Sequence, residues 1–121
     1  MCESMNCNCI CSYDAGIAGL HRTLPILKEF IIKEVDSVIV AAGMEGALAS
    51  IVSSMINVPV IGVPTSVGYG YGEKGTAALA AMLQSCSLGL SVVNIDNGIG
   101  AGAIASKISN QKNKSRKWYI T

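Results

Sequence analysis

One alternation restricts the fold more than any other feature of this chain. Four short runs, at 7–13, 36–42, 58–63 and 90–95, are separated by stretches whose apolar residues recur with helical spacing. Brief β-branched runs bounded by glycine, proline or aspartate read as strands. The first run ends at Asp14 and the turn Ala15-Gly16. A helix is expected over 23–34, with Thr23 as N-cap, Pro25 in its first turn, and Leu27, Phe30 and Ile31 on one face. Further helices are expected over 46–56 and 76–85, and a last one starts near Asn97 and fades into a basic end. Strands and helices in strict alternation pack as a parallel sheet with right-handed crossovers and helices on both faces. The expected class is therefore α/β, with a doubly wound parallel sheet.

Length and composition narrow the classes further. The 121 residues suffice for one domain with one core. Half are apolar and only 14% are charged, which suits buried strands and excludes a disordered chain. A net charge of +1 gives no indication of nucleic acid or a membrane surface as partner. The basic end carries Lys107, Lys112, Lys114, Arg116 and Lys117. It reads as a solvated terminus, or as an attraction for phosphate on a neighbouring subunit. The most apolar stretch, Val38 to Val52, is interrupted by Gly43, Glu45 and Gly46 and is too short to span a bilayer. With no secretory signal in view, the expected compartment is the cytoplasm, where cysteines remain thiols. Four of the five lie near the start: Cys2, Cys7, Cys9 and Cys11. The alternation at 7, 9 and 11 sets neighbouring thiols about 6.6 Å apart on a strand, awkward for one metal ion. Buried strand thiols are expected there, and no metal site.

In open parallel sheets ligands bind beyond the carboxyl ends of the strands, which directs attention to 14–22, 43–46, 64–75 and 96–102. His21 is the one histidine of the chain and stands beside Arg22 at the start of a helix. The pair either clamps an anion there or satisfies backbone groups at a turn, and spacing does not separate the two. Glu45 falls in the first turn of a helix. The helix dipole alone accounts for a carboxylate there, although one at the sheet's mouth also suits a general base. The stretch from Gly68 to Gly75 carries alternating glycines ahead of a helix, so it reads as a lid over phosphate or as an ordinary flexible loop. Cys86 ends a helix. A thiol there gains nothing from the dipole, so reactivity would need help from a neighbour or a cationic substrate.

Four segments taken together carry a family resemblance: DAGIAGLHR (14–22), VAAGMEGALASIV (40–52), PVIGVPTSVGYG (59–70) with MLQSC (82–86), and VVNIDNGIGAG (92–102). The combination resembles the LarB carboxylase/hydrolases, which share the fold of the PurE-type aminoimidazole ribonucleotide carboxylases. The resemblance runs over roughly 13–106, within a partial PurE-like domain at 7–108. Residues 1–6 are unmatched, and 109–121 form the basic tail. It implies a flavodoxin-like three-layer sandwich lacking the family's first strand and helix, so that 7–13 would occupy the second strand. His21-Arg22-Thr23 echoes the His-Arg-Thr-Pro element of PurE. Met44-Glu45-Gly46 and Cys86 depart from PurE toward LarB, and Gln84 stands where asparagine is common.

The resemblance implies a reaction in nickel-pincer cofactor synthesis. Nicotinic acid adenine dinucleotide is carboxylated at pyridinium C5 with CO2 or bicarbonate, and its phosphoanhydride is hydrolysed to release AMP. Cys86 matches the covalent nucleophile, since thiolate addition at C6 makes C5 enamine-like. Glu45 is the candidate proton carrier. His21, Arg22, Gly43, Gly46, Ser66, Gly68, Gly70 and Asp96 are the candidate contacts to substrate and phosphate. Mg2+ is implied as an aid to hydrolysis, and a homo-oligomer as the working state. The alternatives are carboxylase or mutase chemistry on aminoimidazole ribonucleotide in purine synthesis, and a non-catalytic nucleotide-binding remnant.

Overall fold

Three of the four expected strands form. The computed structural model describes residues 1–111, in which β1 (Val38–Ala42), β2 (Val60–Pro64) and β3 (Leu90–Val92) make a parallel sheet in the order β1-β2-β3. Val38 pairs with Val60 and Val60 with Leu90. The helices are α1 (Leu20–Ile32), α2 (Ala47–Met55), α3 (Thr76–Leu83) and α4 (Gly98–Gln111). The last ten residues, which carry most of the basic tail, lie outside the described residues.

The central strand explains the layering. Every residue of β2 is buried, because its alternate side chains meet helices on both faces. Val60 joins Leu27 of α1, Val52 of α2 and Met82 of α3 in one core, while Ile61 and Val63 meet Ala101 and Ala105 of α4 in the other. Thus α1, α2 and α3 cover one face and α4 the other. Gly62 is glycine for a packing reason: a Cβ there would stand 2.9 Å from the Met82 sulfur. The α/β sandwich with a parallel sheet is as the alternation requires.

The first expected strand does not form. Residues 7–13 make no ladder, and Cys9, Ile10, Cys11 and Tyr13 are exposed rather than buried. An extended run becomes a strand only when a neighbouring edge takes up its backbone groups, and among the described residues this run joins no ladder. The N-terminus instead folds onto α4, where the Cys2 thiol donates to the Gly102 carbonyl at 3.4 Å. The first helix also starts earlier than expected. A 3-10 turn at Ile17–Gly19 leads directly into it, which moves Thr23 from the cap into the helix. Thr23 is buried there, and its hydroxyl donates to the Gly16 carbonyl and accepts from the Gly16 N–H, both at 3.2 Å. Pro25 accordingly falls in the second turn.

Candidate active site

The carboxyl ends of three parallel strands, and the amino ends of the helices that follow them, meet at one end of the sheet. After β1 the chain turns tightly through Gly43-Met44-Glu45-Gly46, closed by the Gly46 N–H donating to the Gly43 carbonyl at 2.8 Å. Met44 has φ of 50° and Gly46 of 66°. A methionine in the left-handed region costs of order 1–3 kcal/mol, the kind of strain that persists where surrounding structure enforces it. Here the enforcing contact is the loop after β2. Gly43 lies so close to the Val67 carbonyl that any Cβ would collide with it.

That loop runs from Thr65 to Gly75. The Thr65 N–H donates to the Ala42 carbonyl at 3.0 Å, which extends the β1–β2 ladder into the mouth. The Ser66 N–H donates to Asp96 Oδ1 at 2.8 Å, which ties the loop to the segment after β3. Hydrogen bonds from the Ser66 hydroxyl and then its N–H hold the Asp96 carboxyl below its ordinary range. Asn97 closes the third loop, accepting the Gly100 N–H at 2.9 Å at the start of α4.

Between the first two loops is a cleft of about 300 Å3 lined by Met44, Glu45, Gly68–Glu73 and Ala77. Glu45 stands on one wall, and a 3-10 turn at Gly70–Gly72 forms the other. Glu45 stands just before the start of α2 and Ala77 lies in the first turn of α3, and helix starts favour an anion. Tyr69 and Tyr71 are almost fully exposed at the rim of the cleft. Their rings are available to a planar ligand, since nothing among the described residues covers them.

The structure brings together part of the expected set. Glu45, Gly68 and Gly70 line the cleft; Gly43 and Gly46 shape the turn behind it; Ser66 and Asp96 brace the adjoining loop. His21 and Arg22 are exposed on the first turn of α1 and do not line it. Arg22 Nε donates to the Asp14 carbonyl at 3.2 Å and lies 3.5 Å from its carboxylate, so the arginine staples its own turn. Cys86 lies elsewhere again. Its turn, 84–89, precedes β3 at the amino ends of the strands, where Ser53 donates to the Leu88 carbonyl at 2.9 Å. The thiol is exposed. Glu73 is the residue that sequence reasoning missed. Its signal was an acidic residue inside a glycine loop, and only folding sets it in the cleft with Glu45. Among the described residues no three His, Cys, Asp or Glu side chains gather as a metal site, and no helix is long and apolar enough to cross a membrane.

A sheet mouth of this form is shared by many α/β proteins, and comparison with known families narrows it. The family model for AIR carboxylase matches residues 2–119. The chain belongs to the AIR carboxylase family. It is also 53% identical, over 107 residues, to a protein of Methanocaldococcus jannaschii described as uncharacterized. That match takes in 88% of this chain and 41% of the relative, so the chain spans about two fifths of the relative's length. Family membership makes the chain a relative of enzymes that carboxylate an aminoimidazole ribonucleotide, and its cleft lies where open parallel sheets bind ligands.

Proposed function

We propose that the chain carboxylates the pyridinium ring of nicotinic acid adenine dinucleotide and hydrolyses its phosphoanhydride, as its resemblance to LarB implies. The observation that carries this reading is the cleft itself. It sets a carboxylate, Glu45, beside two helix starts suited to phosphate and two exposed tyrosine rings suited to a planar base. The chemistry runs as follows. A thiolate adds at C6, its electron pair reaches C5, and C5 forms the new bond to CO2. Glu45 accepts the C5 proton, and the electrons of that C–H bond expel the thiolate and restore the aromatic ring. Water then cleaves the phosphoanhydride, releasing AMP. Glu45 and Glu73 of the cleft would hold a Mg2+ in this reading, and the ion would supply charge neutralisation for hydrolysis of the phosphoanhydride.

The position of Cys86 adds a requirement. In one chain it stands at the amino end of the strands and Glu45 at the carboxyl end. One substrate meets both groups where Cys86 of one copy approaches the cleft of another, so the active form is a homo-oligomer. Aminoimidazole ribonucleotide carboxylation is the second reading, favoured by the family match itself.

Mass spectrometry after incubation with nicotinic acid adenine dinucleotide and bicarbonate tests the proposal, with the imidazole nucleotide in a parallel reaction. AMP with a carboxylated mononucleotide is the expected product. Turnover of the imidazole substrate alone supports the second reading, and binding without turnover overturns both. Glu45→Gln and Cys86→Ser should each lower turnover by about 100-fold or more. Mixing the two inactive variants should restore part of it, because some sites then combine two intact groups.

A further inference from the structure

The turn that carries Cys86 is fastened to α2 by serine hydroxyls. Ser50 donates to Ser85 Oγ at 2.8 Å, and that oxygen also accepts the Ser87 N–H at 3.2 Å. The Ser87 hydroxyl donates back to the Ser50 carbonyl at 2.8 Å. Ser53 lies one helical turn beyond Ser50 on the same face of α2, and it donates to the Leu88 carbonyl at 2.9 Å. The turn is tied at both ends as well. The Gln84 N–H donates to the Ala80 carbonyl at the end of α3, and the Gly89 carbonyl accepts the Val60 N–H of β2. Cys86 stands apart from this network. Its neighbours on either side are half-buried, whereas its thiol is exposed and takes part in none of these bonds.

The bonds straddle the cysteine. Ser85 Oγ accepts the N–H two residues on, a serine turn that holds the peptide plane following Cys86. The Ser50 hydroxyl in turn holds Ser85 to the helix, and the Ser87 hydroxyl fastens the far side of the turn to the same residue. The direction in which Cys86 points is thereby set from behind. No bond reaches the sulfur itself, so the network governs where the thiol stands and leaves its chemistry to the site it enters. In one chain that thiol lies at the opposite end of the strands from Glu45, and it meets substrate only in the cleft of another copy. A misplacement of about 1 Å in a reacting group costs on the order of 100-fold in rate. The helix that begins just after Glu45 therefore carries both reactive groups, the carboxylate before its first turn and the nucleophile's turn along its side. We infer that Ser50, Ser85 and Ser87 are positioning residues for the carboxylation, aiming Cys86 outward toward a neighbouring copy's cleft. This role rests on the reading of Cys86 as the nucleophile.

Burial separates the positioning set from the rest. Ser53 is buried, and removing its hydroxyl would weaken the fold itself. Ser50, Ser85 and Ser87 are half-buried, so water can reach the partners they would leave behind. Their loss should therefore be felt in geometry more than in stability. Ser54 provides the control, since it is exposed and its hydroxyl bonds only within α2, to the Ile51 carbonyl.

The test compares Ser85→Ala, Ser85→Thr and Ser54→Ala with the unaltered protein. Initial rates with nicotinic acid adenine dinucleotide and bicarbonate give kcat and KM per folded protein, and amide hydrogen exchange follows the Ser87 N–H. Ser85→Ala should lower kcat by about tenfold or more and leave KM within about twofold, since the lost bonds act on reacting geometry rather than on substrate binding. Exchange at Ser87 should quicken by about fivefold or more in the same variant. Iodoacetamide should still alkylate Cys86 at the parent's rate, because the thiol stays exposed. Ser85→Thr keeps the hydroxyl and should restore both kcat and the slow exchange, and Ser54→Ala should alter neither. Ser50→Ala removes the same bond from the helix side and should lower kcat likewise, which keeps the test open where Ser85→Ala fails to fold. The role is overturned if these alanine variants keep the parent's kcat, if threonine restores nothing, or if alkylation of Cys86 falls in step with kcat. Absence of turnover in the unaltered protein overturns the reaction itself, and with it the role. Failure of the role alone is told apart by an active parent and an equally active Ser85→Ala.

Discussion

Replacing Gly43 with alanine isolates the contact that shapes the mouth. The backbone of Gly43 has no positive φ, so alanine is not excluded by conformation. Space excludes it. The added Cβ would collide with the Val67 carbonyl and stand 2.9 Å from Thr65 Oγ1. The threonine hydroxyl can rotate away, but the carbonyl belongs to a backbone held by Thr65 on Ala42 and by Ser66 on Asp96. The whole 65–68 segment must shift, and overpacking of this kind costs about 1–3 kcal/mol. For a chain of this size each kcal/mol corresponds to about 3–6 °C in Tm. Gly98→Ala provides the control. Nothing lies within 4 Å of its Cβ position, and it opens α4, so alanine should stabilise by about 0.5–1 kcal/mol. The same chemical change should thus move stability in opposite directions. Urea denaturation with a common m value measures both. If Gly43→Ala were as stable as the parent, or Gly98→Ala lost as much, the packing account of the mouth would be wrong.

Two further outcomes follow from individual bonds. Asp96 has its carboxyl lowered by Ser66, so its contribution to stability is fully present above the unfolded value of about 3.9 and disappears as pH falls through the folded value. Acid unfolding should start later in Asp96→Asn relative to its own neutral-pH stability, and an unchanged acid profile would remove the bond's role. Thr23→Val keeps the buried volume but leaves the Gly16 N–H without its partner, while the Gly16 carbonyl keeps the Gly19 N–H. The expected loss is about 1–3 kcal/mol by urea denaturation, and a neutral result would mean that water replaces the hydroxyl.

Local pattern and long-range pairing were not equally visible in the chain. Val58–Val63 announces itself as a strand because it is aliphatic on both faces, and β2 is buried throughout. The run at 7–13 alternates just as well, yet stays unpaired, because alternation describes a strand's faces and says nothing about who takes its hydrogen bonds. Thr23 looked like a cap because it precedes a proline and an apolar stripe. The structure gives its hydroxyl to Gly16, a bond made possible by a 3-10 turn that no local signal marks. In the candidate site, Glu45 and the glycines of the loop were legible from their positions after strands. Glu73 was not, since its meeting with Glu45 depends on how far a glycine-rich loop folds back.

The sequence by itself determined the class of fold, the order of elements from the first helix onward and the end of the sheet at which the candidate cleft lies. Those follow from hydrophobic period and from the handedness of parallel crossovers, which short segments encode. Tertiary structure decided which groups share a site. It took Arg22 out of the cleft by pairing it with Asp14, and set Cys86 and Glu45 at opposite ends of the strands. The reason is one of range. A period of two or of 3.6 repeats within a few residues, whereas a cleft or a strand edge is made by residues dozens of positions apart, whose meeting is settled by packing of the whole chain.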